Sequence, residues 1–298
     1  MMLVVGGSGL LGSRVALLAR ENGFEMHATY FGNKPDFLPE EKMHRLDIRE
    51  QEKTATLISK LEPEVVVHSA AMIGVDECEK EKEEAYAINV VGTQNVADAC
   101  RKVDAKLIYV STDYVFDGRK GNYVEEDEPN PINYYGKTKL EGERIVSKLD
   151  DYAIVRVSVL YGWPLRGQHD NFVSWAIKTM RNGGEVHALT DQRITPTFAD
   201  NAAEAILTVV KKNANGIYHT TGSRCITRFE FANLIASVFN LEKRLIKPIT
   251  FGRIGWVAER PKNNCLLTKK IEKELGFKMN TPEEGLIRMK NQEGGINR

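Results

Sequence analysis

Short apolar runs alternate with helical spacings along the first half of the chain. Met2–Val5 is an apolar run that ends in glycines, as a buried strand does. Leu10, Leu11, Val15, Leu17 and Leu18 then recur at helical spacing. They predict a helix over 10–22 that Gly23 closes as its C-cap. Residues 25–30 read as a second strand, 51–60 as a helix that Pro63 ends, and 65–67 as a third, fully buried strand. One long helix is expected over 79–102. A fourth strand over 106–111, a helix over 134–149 and a fifth strand over 153–157 follow.

Strands that alternate with helices argue for a parallel sheet with right-handed crossovers. The pattern changes after Gly162. Helices are expected over 171–181, 200–212, 228–239, 268–275 and 282–290, with short strands over 185–189 and 216–219. The last third reads as a smaller lobe packed beside the sheet. We therefore expect a cofactor-binding domain of residues 1–165 plus 200–222, and a substrate lobe of residues 166–199 plus 223–298.

Apolar residues make up 42% of the 298 and charged residues 28%, which is the soluble globular range. Lys+Arg and Asp+Glu are both 41, so no global field draws nucleic acid or an anionic membrane. No run approaches the roughly 18 apolar residues of a membrane span, and the chain enters a strand at once. The cytoplasm is the default location. Cys78, Cys100, Cys225 and Cys265 form no C-x-x-C pair and no metal-ligand spacing, so four free thiols and no metal are expected. Charges of both signs mix along the helices, which marks no interface and leaves a homodimer open.

The first strand runs into Gly6-Gly7-Ser8-Gly9-Leu10-Leu11-Gly12. Glycines at a strand-to-helix turn let backbone N–H groups approach a pyrophosphate, and the helix adds its positive end. Gly6, Ser8, Gly9, Leu10, Leu11 and Gly12 are therefore candidate cofactor residues. An acid at the end of the second strand would accept the ribose 2′-hydroxyl. Here the segment reads Ala28-Thr29-Tyr30-Phe31-Gly32-Asn33-Lys34, with no acid. Arg14 and Lys34 are cations that suit a 2′-phosphate, so NADP is expected, with NAD as the alternative; both also read as solvated surface charges. Tyr30 closes that strand beside the cofactor. Asp47 reads either as an acceptor for the adenine amino group or as a helix N-cap. Ala70 and Ala71, after the third strand, are small enough for a cofactor to lie against the backbone.

The middle of the chain carries Val110-Ser111-Thr112-Asp113-Tyr114-Val115-Phe116-Asp117-Gly118 and Tyr135-Gly136-Lys137-Thr138-Lys139. Tyr135 and Lys139 are four apart on a predicted helix, so they share a face. A free phenol has a pKa near 10, and a nearby ammonium is expected to lower it. Lys139 also suits the nicotinamide ribose. Thr112 ends the fourth strand at the carboxyl edge of the sheet, where open α/β folds bind ligands. Its hydroxyl would polarise a carbonyl while Tyr135 protonates the developing alkoxide.

Together these residues resemble the extended short-chain dehydrogenase/reductases, and more closely the dTDP-4-dehydrorhamnose reductase family and its relative, the methionine adenosyltransferase regulatory β subunit. Matching stretches also include residues 62–71, Asn89-Val90-Val91-Gly92-Thr93, Leu140-Glu141-Gly142-Glu143, residues 192–200 and residues 260–276. The resemblance implies a doubly wound Rossmann sheet of seven strands and a smaller carboxyl-terminal substrate lobe. It implies Thr112, Tyr135 and Lys139 as the catalytic set and Asn89 as an ordering residue beside the cofactor. Asp113, Tyr114, Thr197 and Arg260 would meet a nucleotide-sugar substrate, with Arg260 on a diphosphate. The implied reaction is reduction of the 4-keto group of a dTDP-linked 6-deoxyhexulose. In the rhamnose enzymes a tryptophan follows the fifth strand; here Val159 stands there, as an aliphatic residue does in the β subunit. A regulatory subunit, or a reductase or epimerase of another nucleotide sugar, is therefore carried as the alternative.

Overall fold

The computed structural model describes residues 1–294. Its centre is a parallel sheet that alternates with helices. Strands β1 (Met2–Val5), β2 (Met26–Tyr30), β3 (Met43–Arg45), β4 (Val65–His68), β5 (Lys106–Thr112) and β6 (Tyr152–Val157) are followed, after the lobe begins, by β11 (Gly216–His219). The sheet order is β11-β6-β5-β4-β1-β2-β3, all neighbours parallel. The order reverses between β1 and β4, so a crevice opens at their carboxyl ends. Gly6 leaves β1 there, and Ser69-Ala70-Ala71 leave β4.

Strand periodicity explains the two cores. Met2 and Val4 face one side with helix α1 (Leu10–Glu21) and helix α8 (Ala199–Lys211); Leu3 and Val5 face the other with α2 (Gln51–Leu61), α5 (Gly92–Lys102) and α6 (Tyr134–Val146). Burial on both faces is why these strands read as unbroken apolar runs.

The lobe has its own core. Helices α7 (Phe172–Arg181), α9 (Arg228–Phe239) and α11 (Pro282–Asn291) pack around Phe231, Ile235, Ile177 and Leu286. Three strand pairs frame it: β7 (Leu160–Tyr161) with β10 (Thr197–Phe198), β8 (Val186–Leu189) with β13 (Ile246–Ile249), and β9 (Arg193–Ile194) with β12 (Ile226–Thr227). Helix α10 (Lys269–Leu275) returns to pack beside β11. The lobe also touches the first loop: Gln168 Nε2 donates to the Ser8 carbonyl at 3.0 Å and to Ser13 Oγ at 3.1 Å.

Three expectations change. The strand Met43–Arg45 was not read from the sequence; it is only 3 residues long and precedes Leu46. The expected single helix over 79–102 is instead α3 (Val75–Lys80), α4 (Lys82–Tyr86), a π-helical turn over Ala87–Val91, and α5. Glu81 leaves helical geometry at φ −110° and ψ 62°, which breaks the first turns apart. The four cysteines are not all free. Cys225 and Cys265 form a disulfide, because the lobe brings their Cα atoms within 5.5 Å; Cys78 and Cys100 remain buried thiols. Among the described residues no helix is long and apolar enough to cross a membrane.

Candidate active site

The crevice is lined from two sides. Gly6 stands at φ +89°, and a Cβ there would lie 2.5 Å from the Ala70 nitrogen. A Cβ on Gly12 would lie 2.3 Å from the Gly6 carbonyl. These two glycines therefore let α1 and the β4 loop close together, which a side chain would prevent. Gly9 precedes α1 and gives it no side-chain cap, so the first N–H donors, from Leu10, Leu11 and Gly12, remain for a ligand. The arrangement fits a dinucleotide pyrophosphate.

The catalytic candidates converge from β5 and α6. Thr112 is the last residue of β5; its hydroxyl accepts from the Tyr114 amide at 3.2 Å and donates to Asp113 Oδ1 at 3.1 Å. Helix α6 starts under the Asn133 cap, whose Oδ1 accepts from the Gly136 amide at 2.8 Å. Gly136 packs against the turn after β5, since a Cβ there would meet the Tyr114 carbonyl at 2.2 Å. This contact brings the Tyr135 phenol to face the Thr112 hydroxyl. The Tyr135 ring meets Tyr114 edge to face at 5.9 Å between centroids. Lys139 lies one turn on, buried, with its ammonium 4.0 Å from the centre of the Tyr109 ring.

One electrostatic expectation is corrected. Burial pushes the Tyr135 phenol above its ordinary 10, opposed by its hydrogen bond to Thr112; the Lys139 ammonium does not set the direction. Burial also presses Lys139 down from 10.5 to about 7, against the attraction of Glu143. Desolvation outweighs the pair attraction because Lys139 is buried and Tyr135 is largely covered by its neighbours. The stability consequence has a definite sign. Between pH 7 and 10.5 the folded chain holds fewer protons at Lys139 than the unfolded chain, so stability rises with pH across that window. The cost is fully present below pH 7. We expect Lys139→Met to raise the melting temperature at pH 6 by a few degrees while turnover is lost. A lower melting temperature would show that the ammonium is stabilised rather than strained.

Asn89, 1% exposed, sits in the π-helical turn, a feature that recurs at functional sites. Its Oδ1 accepts from the Met72 amide at 2.8 Å, and its Nδ2 donates to the Met72 carbonyl and to Thr138 Oγ1, each at 3.0 Å. Asn89 thus fastens the β4 loop to α6. It therefore positions the two segments that carry the site. Thr197 is likewise engaged. It is fully buried, and its hydroxyl bonds the Ser158 and Thr195 carbonyls and the Gly222 amide. It shapes the lobe from beneath.

Arg14 is not a free surface charge. It lies 3.3 Å from Asp200 and donates to the Trp163 carbonyl at 2.7 Å, because α1 and α8 pack face to face. Lys34 is exposed and pairs with Glu40 at 2.6 Å. Asp47 is not the cap of α2, a place held by Glu50; it binds the Arg49 guanidinium through both oxygens. Arg49 was missed in the sequence. It stands 5.6 Å from the Phe31 ring, just beyond Tyr30 at the end of β2.

On the substrate side, Asp113 is buried and accepts from Ser158 Oγ at 2.8 Å. Burial lifts its carboxyl to about 6, held from going higher by its hydrogen bonds. Arg260 donates to Asp76 Oδ1 at 2.8 Å and lies 5.2 Å from the Trp256 ring. Asp76 also accepts from the Val257 and Ala258 amides, so α3 and the segment before Arg260 form one wall. Val159 stands at φ +41°, a left-handed conformation that a β-branched residue rarely adopts. Ser158 and Arg228 were not singled out in the sequence. Among the described residues no group of three His, Cys, Asp or Glu side chains could hold a metal.

Comparison with known proteins agrees with this geometry. The model of the RmlD substrate binding domain matches residues 1–293. The chain is 34% identical over 288 residues to the probable low-salt glycan biosynthesis reductase Agl14 of Haloferax volcanii, covering 95% of each. It is 33% identical over 287 residues to methionine adenosyltransferase 2 subunit beta of Xenopus tropicalis, covering 94% of this chain and 84% of that one. The crystal structure of dTDP-4-dehydrorhamnose reductase from Bacillus anthracis, in complex with NADP, superposes with a TM-score of 0.87 at 31% identity over 98% of both chains. The seven-stranded sheet, the glycine loop and the match over nearly the whole length lead to one conclusion: the chain belongs to the family of the RmlD substrate binding domain.

Proposed function

We propose that this chain reduces the 4-keto group of a dTDP-linked 6-deoxyhexulose, with NADPH as the reductant and NADH as a poorer one. The observation that carries the reading is that Thr112, Tyr135 and Lys139 come together at the carboxyl edge of the sheet, the same edge at which β1 leads into the uncapped start of α1. A reduced nicotinamide, when bound, supplies the hydride to the carbonyl carbon. Thr112 would hydrogen-bond the carbonyl oxygen and polarise it. Tyr135 would give its proton to that oxygen as negative charge develops there, and solvent would return the proton afterwards. Lys139 would hold the nicotinamide ribose and, in its charged form, ease loss of the phenolic proton. Asp113 and Tyr114 would bind sugar hydroxyls and Arg260 the diphosphate. In this reading residues 1–165 with 200–222 bind the cofactor, the remainder binds the nucleotide sugar, and the work is done in the cytoplasm.

The NADP preference rests on Lys34 and Arg49 at the end of β2, with no acid among residues 28–34. NADPH is expected to bind about ten-fold tighter than NADH, read from quenching of protein fluorescence, because one charge-assisted contact is worth roughly 1.5–3 kcal/mol. Equal dissociation constants would remove the preference. For the reaction, purified protein is incubated with NADPH and dTDP-4-keto-6-deoxyhexose, and loss of nicotinamide absorbance is followed. Turnover supports the reductase. NADPH binding without turnover, together with a co-purifying partner enzyme, would favour a regulatory subunit, the reading that the likeness to methionine adenosyltransferase 2 subunit beta keeps open.

A further inference from the structure

Arg228 takes no part in the proton chemistry, yet it is built into the wall beside it. It is the first residue of α9, and the capping box of Thr227 and Glu230 fixes that turn. Its backbone amide donates to the Gln192 carbonyl at 3.1 Å, and its Nε donates to Gln192 Oε1 at 2.5 Å. The guanidinium lies 5.7 Å from the Phe172 ring. The side chain is therefore held in one direction, with its guanidinium against the Tyr114 phenol.

The charged and titratable neighbours of that guanidinium are the Tyr114 phenol, the Asp113 carboxyl and the Arg260 guanidinium. Asp113 is already bound by Ser158 and Thr112. Arg260 is paired with Asp76 through Nη1 alone. Among the described residues no carboxylate makes a salt bridge to Arg228. Geometry joins the two arginines through Gln192, which accepts from Arg228 and donates through Nε2 to the carbonyl of Pro261, the residue after Arg260, at 3.0 Å, so both stand in one partly buried wall. Their mutual repulsion and lost hydration disfavour this arrangement unless an anion joins them.

We propose that Arg228 and Arg260 together grip the diphosphate of a nucleotide sugar from the wall that Gln192 ties together. A diphosphate carries enough oxygen acceptors to engage both forks, and arginine suits it better than lysine because its donors are planar and paired. The assignment of Arg228 rests on the nucleotide-sugar reading above. It adds that the substrate wall recognises the diphosphate with two arginines rather than with Arg260 alone.

The test uses dTDP and thymidine as probes, titrated calorimetrically into the NADP-loaded full-length protein. The wild type should bind dTDP at least about ten-fold tighter than thymidine. Arg228→Met should weaken dTDP by about 10–100-fold and leave thymidine unchanged, the loss of a charge-assisted contact. KM for the keto-sugar should rise in step, while NADPH affinity stays at the wild-type value. Arg228→Lys keeps the charge and should recover part of the dTDP affinity, which a role confined to packing on Phe172 would not give. Wild-type dTDP affinity in Arg228→Met overturns the proposal while leaving the parent reading intact. A wild type that does not distinguish dTDP from thymidine overturns the parent reading itself.

Discussion

Tyr135→Phe is expected to lower turnover by about 10²–10⁴-fold, the usual contribution of one positioned proton donor. The substitution removes one oxygen and keeps the ring, so the edge-to-face contact with Tyr114 survives. It leaves Thr112, which still polarises the carbonyl, so hydride transfer does not stop altogether. NADPH affinity should change little, because the substitution leaves the glycine turn and the backbone donors at the start of α1 intact. kcat and kcat/KM should fall together, since the lost interaction strengthens only in the transition state. The measurement is single-turnover decay of nicotinamide absorbance. Unchanged decay would mean that another group supplies the proton, and Tyr135 would lose its role. The pH dependence offers a second check. Lys139 titrates at about 7 in the free protein, so a limb near pH 7 in kcat/KM should vanish in Lys139→Met along with most of the activity.

The parts of this molecule that follow a period were legible in advance. The run Val65-Val66-Val67 in β4 is apolar because helices cover both faces, and that leaves a mark in the sequence. The glycine turn was legible because only glycine fits at Gly6 and Gly12. Tyr135 and Lys139 were legible because helical spacing places them on one face. What escaped was decided by distant contacts. The break at Glu81 and the π-helical turn serve Asn89, whose partners Met72 and Thr138 lie 17 and 49 residues away. Thr197 looked like a ligand contact because its neighbours matched a motif, but its hydroxyl secures the lobe to Ser158. Arg14 looked solvated because nothing local reveals Asp200. Arg228 had no signal of its own, since its neighbours Tyr114 and Gln192 come from separate segments. Cys225 and Cys265 were read as thiols because their spacing carries no pattern; only the folded lobe brings them together.

Breaking that disulfide is expected to cost about 4 kcal/mol of stability, and more than any surface substitution. The two cysteines are 40 residues apart, and closing a loop of that size in the unfolded chain removes roughly this much conformational freedom by the chain-entropy estimate. The loop is not incidental to the site. It contains α9, β13 and the segment that carries Trp256 and Arg260. The bond fastens the lead of β12 to a stretch that Arg193 also stitches, through its amide to the Lys262 carbonyl at 2.7 Å and its carbonyl to the Asn264 amide at 3.1 Å. Cys225→Ser with Cys265→Ser should therefore lower the denaturant midpoint, and a reducing agent should do the same to the wild type but not to the double variant. Weaker holding of Arg260 should raise KM for the nucleotide sugar more than it weakens NADPH, whose glycine loop lies outside the segment that the disulfide closes. Thiol labelling in denaturant supplies the direct check: two reactive cysteines, Cys78 and Cys100, are expected before reduction and four after it. Four before reduction would show that the bond does not form, and the stability difference should then vanish with it.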